Sequence, residues 1–162
     1  MVNDPLLALA EELGSLLKAR GWMLALAESC TGGWVAQTVT SIAGSSVWFD
    51  RGFVTYSNAS KIEMLGVRES TLAQDGAVSS ETATEMALGA IANSHAHIAV
   101  AITGIAGPDG GSVDKPVGMV CFAWAKLNMP VMTSTEYFTG DRQQIREQAV
   151  RAALLGLLKH TA

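Results

Sequence analysis

WMLALAESCTGGWVAQTVTSIAG, residues 22–44, joins two hydrophobic patterns through a polar, glycine-bearing hinge. The part up to Glu28 is short and continuously apolar, as in a strand buried on both faces. From Gly33 to Ile42 the pattern changes to helical spacing (Trp34, Val35, Thr38, Val39, Ile42), with Gly44 as the stop. Strand, tight joint and helix together make a βα unit, the building block of a layered α/β protein. The joint is unusual in its chemistry. A carboxylate, two hydroxyls and a thiol (Glu28, Ser29, Cys30, Thr31) stand between two buried elements, followed by Gly32 and Gly33.

Outward from this unit the same grammar repeats. Residues 4–19 read as an amphipathic helix: Asp4 caps it, Pro5 suits its first turn, Leu6, Ala10, Leu13 and Leu17 share a face, and Gly21 ends it. GFVTYS (52–57) reads as a second strand, followed by a helix from about Asn58 to Leu65 with Gly66 behind it. SSETATEMALGAIANS (79–94) is a helix opened by Ser79 or Ser80, and HIAVAITG (97–104) is a third strand. A glycine-rich loop follows. VGMVCFAWA (117–125) and STEYFTG (134–140) are two more strands, and Asp141 with Gln144 forms a capping box for a last helix to about Lys159. The expected fold is a three-layer α/β/α arrangement in one domain over residues 1–162. Its central sheet is mostly parallel, with about five strands plus an antiparallel pair made by the two late strands.

The bulk composition narrows the function. A chain of 162 residues, 49% hydrophobic and 16% charged, suits a packed globule that buries roughly 70% of its unfolded surface. The net charge of −4 and the lack of any Lys/Arg cluster argue against nucleic-acid or membrane-surface binding. VGMVCFAWA is about half the length a bilayer needs. Asn3 and Asp4 stand where a signal peptide requires positive charge. Two cysteines, Cys30 and Cys121, form neither a disulfide framework nor a zinc pattern, and a reducing cytoplasm is the expected location.

In an open α/β sheet, ligands collect beyond the carboxyl ends of the strands. Four polar joints fall there: Glu28–Gly33, Tyr56–Lys61, Thr103–Lys115 and TGDR at 139–142. At the first, amides of Thr31, Gly32 and Gly33 lie near a helix start, where they suit an oxyanion or a phosphate. Ser29 reads either as a nucleophile or, with Thr31, as a helix cap. A serine nucleophile needs a base. His95 and His97 precede the third strand, at its wrong end, and read as a solvated turn rather than a metal pair; His160 lies in the C-terminal tail. Lys61, in the first turn of its helix, faces both desolvation and the positive end of the helix dipole. Both lower an amine's pKa and suit it to accept the Ser29 proton, with Tyr56 near enough to orient either group. An exposed surface lysine is the alternative. Strand alternation points Cys30 away from Ser29, toward burial. GIAGPDGG (104–111) matches neither the P-loop nor the dinucleotide fingerprint, but suits backbone contact with a ligand or a tight turn. Arg142 and Arg146 share a face of the last helix. Arg142 is placed to grip a phosphate; for Arg146 a ligand contact and the bland alternative, a solvated face or a partner contact, read equally.

AESCTGG, GFVTYSNASKIEMLGV, GAVSSETATEMA, TGIAGPDGGSVDKPVGMVCFA and FTGDR together resemble the CinA C-terminal family, the nicotinamide mononucleotide deamidases, in the family's order and over about residues 5–158. The resemblance implies hydrolysis of the carboxamide of nicotinamide mononucleotide to nicotinate mononucleotide and ammonia. It implies a serine–lysine pair with no metal and no organic cofactor. The family's serine falls on Ser29, its lysine on Lys61, its tyrosine on Tyr56 and a threonine on Thr103. Substrate contacts are expected from Glu28, Thr31, Gly32, Gly33, Thr103, Gly104, Gly107 and Arg142. Many relatives carry a further N-terminal domain resembling molybdopterin-binding proteins, so only the stand-alone activity is implied. A small nucleotide substrate and a homodimer are the expected partners. The rival reading is a regulatory module that holds a phosphorylated ligand without turning it over, which leaves Lys61 unexplained.

Overall fold

The structure is a computed structural model describing residues 4–162. Met1 to Asn3, into which the targeting argument extends, lie outside the described residues. Helices α1 (Pro5–Arg20), α2 (Trp34–Thr40), α3 (Asn58–Leu65), α4 (Glu69–Asp75), α5 (Ser80–Ala92) and α6 (Arg142–Thr161) enclose a sheet. Its strands are β1 (Leu24–Glu28), β2 (Phe49–Val54), β3 (Ile98–Gly104), β4 (Met119–Lys126) and β5 (Met132–Tyr137). The sheet order is β2-β1-β3-β4-β5. β1 pairs in parallel with both β2 and β3, while β4 runs against β3 and β5 against β4. Five strands therefore make up the whole sheet, with the late antiparallel strands among them. β5 again points the way β3 does, so its exit at Thr139–Arg142 lies at the same end as the exits of β1, β2 and β3.

The strands alternate large and small side chains, and this sorts the layers. Leu24, Leu26, Ile98, Val100, Ile102, Val120, Phe122 and Trp124 point to one face, where they pack on α1, α2 and α6. Ala25, Ala27, Ala99, Ala101, Ala123 and Ala125 point to the other, a shallow floor under α5. A side-chain period of two makes both faces inevitable once the register is set. Small residues bring α5 close to the sheet and to α3: a Cβ on Gly89 would lie 2.0 Å from the Leu65 carbonyl oxygen.

The helix ends follow their sequence signals. The Asp4 carboxylate accepts from the Leu6 amide at 2.9 Å, Ser79 accepts from Thr82 at 3.0 Å, and Asp141 with Gln144 forms the reciprocal capping box. Gly21 and Gly66 end α1 and α3 in the left-handed conformation, at φ 67° and 70°. Some boundaries differ from expectation, among them β4 at Met119–Lys126 rather than 117–125 and β5 at Met132–Tyr137 rather than 134–140. β2 runs over Phe49–Val54, three residues earlier than GFVTYS suggests, because Ser57 is taken up as the N-cap of α3. β1 starts at Leu24, after Met23 has turned its carbonyl to the His97 amide. The short, polar α4 has no clear apolar stripe and was not anticipated. Among the described residues no helix is long and apolar enough to cross a membrane.

Candidate active site

The alternation that sorts the core continues past the end of β1. Glu28 shares the side of Leu24 and Leu26, and Ser29 that of Ala25 and Ala27, the side on which α3 and α5 lie. Thr55 bonds its amide to the Glu28 carbonyl at 2.8 Å, the last rung between β1 and the exit from β2. Tyr56 and Ser57 then turn into α3, which brings Lys61 back over Ser29. Lys61 Nζ lies 3.0 Å from Ser29 Oγ and donates to the carbonyl oxygens of Thr55 at 2.8 Å and Tyr56 at 3.4 Å. Lys61 is 1% exposed and Ser29 7%.

This surrounding favours the neutral amine. Burial pushes the Lys61 pKa down. The ion pairs among the described residues are Arg51–Asp50 and Arg68–Glu85, so no carboxylate balances an ammonium here. A neutral amine has two N–H groups and one lone pair. With the N–H groups on the Thr55 and Tyr56 carbonyls, the lone pair faces the Ser29 hydroxyl, the geometry of a base activating a nucleophile.

Ser29 and Lys61 open into a cavity of about 280 Å³, which Tyr56, Asn58, Val78, Thr103, Gly104, Ala106, Gly107, Asp109 and Arg142 also line. Its walls come from the exits of β1, β2 and β3 and from the start of α6, at the point where the strand order reverses about β1. Arg142 donates from Nη1 to the Gly107 carbonyl at 2.7 Å and from Nη2 to the Tyr56 hydroxyl at 3.1 Å. Its remaining N–H groups are available at the rim. Thr103 Oγ1 donates to the Ala77 carbonyl at 2.7 Å, tying the wall to the start of α5. A larger cleft of about 480 Å³ beside Pro5, Gln144 and Arg151 holds no pairing of nucleophile and base.

Of the residues expected at the site, the structure gathers Ser29, Lys61, Tyr56, Thr103, Gly104, Gly107 and Arg142. It does not gather Glu28, Thr31, Gly32 or Gly33. Glu28 lies beneath the joint, fully buried: one carboxylate oxygen accepts from the Thr31 hydroxyl at 2.7 Å and the Val35 amide at 2.9 Å, the other from the Ala36 amide at 3.0 Å. It therefore caps α2 from below and meets neither Lys61 nor the cavity. Thr31 is equally buried, serving that carboxylate. The Gly32 amide closes a turn onto the Ser29 carbonyl at 3.0 Å, so it does not face outward for a ligand. Gly33 is the N-cap of α2, at φ 99°. The Tyr56 ring is also placed differently from expectation: its hydroxyl meets Arg142, and only its backbone carbonyl reaches Lys61.

Cys30 packs in the core on the opposite side from Ser29, and burial pushes its thiol up to about 12, which leaves it unreactive. His97 accepts the Met23 amide on Nδ1 at 2.9 Å and serves the entry to β1. Among the described residues no group of three His, Cys, Asp or Glu side chains could hold a metal ion. Asn58 and Asp109 line the cavity without having been singled out in the sequence. Arg146 is neither a solvated face nor a free cation. It donates from Nε to the Cys30 carbonyl at 3.0 Å and from Nη2 to the Thr31 carbonyl at 3.2 Å.

The model of the CinA C-terminal domain family matches residues 6–161. The chain is similar to the nicotinamide-nucleotide amidohydrolase PncC of Escherichia coli K12, at 56% identity over 154 residues, covering 95% of this chain and 93% of that protein. It is similar to the Pseudomonas putida protein of the same name at 49% identity over 156 residues, covering 96% and 97%. Among solved structures, the competence/damage inducible protein CihA from Agrobacterium tumefaciens superposes with a TM-score of 0.96 at 45% identity, covering 100% of this chain and 99% of that one.

Proposed function

The chain belongs to the CinA C-terminal domain family, and from that membership we propose that it is an amidase which hydrolyses nicotinamide mononucleotide to nicotinate mononucleotide and ammonia through an acyl-serine. The similarity to two proteins named nicotinamide-nucleotide amidohydrolase supports the reaction. The observation that carries the mechanism is the buried Lys61 amine, 3.0 Å from Ser29 Oγ and without a carboxylate partner.

Neutral Lys61 takes the Ser29 proton as Oγ attacks the carboxamide carbon. Cys30, the one residue of the joint after Ser29 that borders the cavity, offers its backbone N–H to the tetrahedral oxyanion. As the C–N bond breaks, protonated Lys61 returns its proton to the departing nitrogen, which leaves as ammonia. Water then attacks the acyl-serine and gives a proton to Lys61. Collapse of this second intermediate returns that proton from Lys61 to Ser29 Oγ and releases the carboxylic acid, which gives its own proton to solvent to become the nicotinate carboxylate. Buried donors aimed at developing charge are worth far more than the same groups in water. Arg142 at the rim, held between Gly107 and Tyr56, is placed for the 5′-phosphate, and the apolar wall of Val78 and Ala106 for the pyridine ring.

The test is ammonia release from nicotinamide mononucleotide, with chelator present, by the purified protein beside Ser29→Ala and Lys61→Ala. Wild type should turn over, and removal of the base should cost about 10²- to 10⁴-fold in kcat. A folded wild type that binds the nucleotide and releases no ammonia overturns the amidase reading and favours a binding module.

A further inference from the structure

The joint that presents Ser29 has little hydrogen bonding of its own. Its internal bonds are Gly32 N–H to the Ser29 carbonyl and Trp34 N–H to the Thr31 carbonyl, both at 3.0 Å, and Gly32 and Gly33 sit at φ 58° and 99°. Two side chains hold it from outside. Glu28 takes the α2 amides below. Arg146, on the second turn of α6, takes the carbonyls of Cys30 and Thr31 and lies over the Trp34 ring, 5.4 Å from its centroid. Arg146 is half-buried and has no carboxylate partner among the described residues. A guanidinium is suited to this task because its planar fork reaches two acceptors at once, which an ammonium cannot match in fixed geometry.

A trans peptide has its N–H directed opposite to its C=O. With the Cys30 carbonyl tied to Arg146, the amide of Thr31 must point away from the guanidinium, and the orientation of the Cys30–Thr31 and Thr31–Gly32 peptide planes is set. We propose that Arg146 is a positioning residue for Ser29: it fixes the backbone just past the nucleophile so that Oγ stays in register with Lys61. The assignment rests on the amidase reading for its substrate, but not for its geometry. One turn earlier on the same helix, Arg142 holds the Gly107 carbonyl and the Tyr56 hydroxyl. The start of α6 is thus a common brace for the nucleophile and for the wall opposite it.

The test compares wild type with Arg146→Met, which keeps an apolar stem, and Arg146→Lys. Displacement of a reacting group by about an ångström can cost 10²-fold. Arg146→Met should lower kcat on nicotinamide mononucleotide by about 10- to 100-fold with KM nearly unchanged, as expected for a group that acts only on the chemical step. Arg146→Lys should recover a part of this, and added methylguanidinium should restore more of the Arg146→Met rate than added methylammonium does. A second arm measures acylation of Ser29 by p-nitrophenyl acetate, read by mass, which requires no nucleotide binding. Slower acylation in Arg146→Met supports the proposal even if wild type releases no ammonia, in which case only the substrate reading falls. Equal acylation rates, a loss borne by KM alone, or a wild-type Ser29 that is not acylated at all overturns it.

Discussion

If Lys61 is held neutral for catalysis, the same burial must be legible in stability, and Lys61→Met separates the two. The amine is 1% exposed and no carboxylate pairs with it, and burial lowers its pKa from the ordinary 10.5. Below the folded-state pKa, both folded and unfolded chains carry the proton, and folding bears the full cost of burying an ammonium. Between the folded-state pKa and 10.5 the unfolded chain binds one proton more, so stability rises with pH. The slope there is about 1.4 kcal/mol per pH unit for one proton. Methionine keeps most of the stem and has no proton to titrate. Urea unfolding of both proteins, from about pH 6 upward, gives a difference curve in which the other titrating groups cancel. That curve should be flat, then climb in favour of wild type at this slope, then level near 10.5. Ammonia release adds a second reading. The acid limb of kcat/KM reports the free enzyme's essential base and should break at the pH where the climb begins. A difference curve flat throughout would refute the buried neutral amine. So would an acid limb that breaks more than about one pH unit from the stability break.

Two further predictions use the same fold. Cys30→Ala should keep kcat within about twofold, because a thiol pushed up to about 12 supplies no thiolate. It should also remove a loss of stability above pH 9.0, where the unfolded thiol ionises and the folded one does not; parallel urea-unfolding curves for the two proteins above that pH would sink this account. Gly89→Ala places a Cβ 2.0 Å from the Leu65 carbonyl oxygen, and Gly156→Ala places one 2.1 Å from the Trp124 indole. Each should cost about 1–3 kcal/mol by overpacking. Only the first pushes on α3, the helix that carries Lys61, so kcat per folded molecule should fall in Gly89→Ala and hold in Gly156→Ala. Equal effects on kcat would show that α3 tolerates the shift.

Much of this was legible in the residues, and for identifiable reasons. Caps and glycine stops act within a few residues, so Asp4, Gly21, Gly66 and the Asp141–Gln144 box mark helix ends without tertiary information. The Ser29–Lys61 pairing was also within reach, since two exits of adjacent parallel strands must lie side by side. Glu28 shows where local reading stops short. Its place in the strand's period of two, alongside Leu24 and Leu26, already sets it on the face opposite Ser29. A carboxylate beside a nucleophile invites a role in chemistry, whereas its acceptors here go to the underside of α2. Tyr56 was placed at the end of a strand that in fact stops at Val54, which turns its ring toward α6 instead of the dyad. Arg146 could not be assigned from sequence at all. Its spacing from Arg142 gives a shared helix face, but its acceptors lie 116 and 115 residues earlier, and no local rule selects them.

That separation bears on the order in which the protein becomes competent during synthesis. Ser29 and Lys61 leave the ribosome early, and the strands that align them follow; the arginines that steady the joint and the opposite wall come only with α6. A nascent chain stopped before Arg142 would hold a nucleophile and its base without the brace. The last helix to be made therefore supplies both one side of the core and the two arginines that hold the joint and the opposite wall.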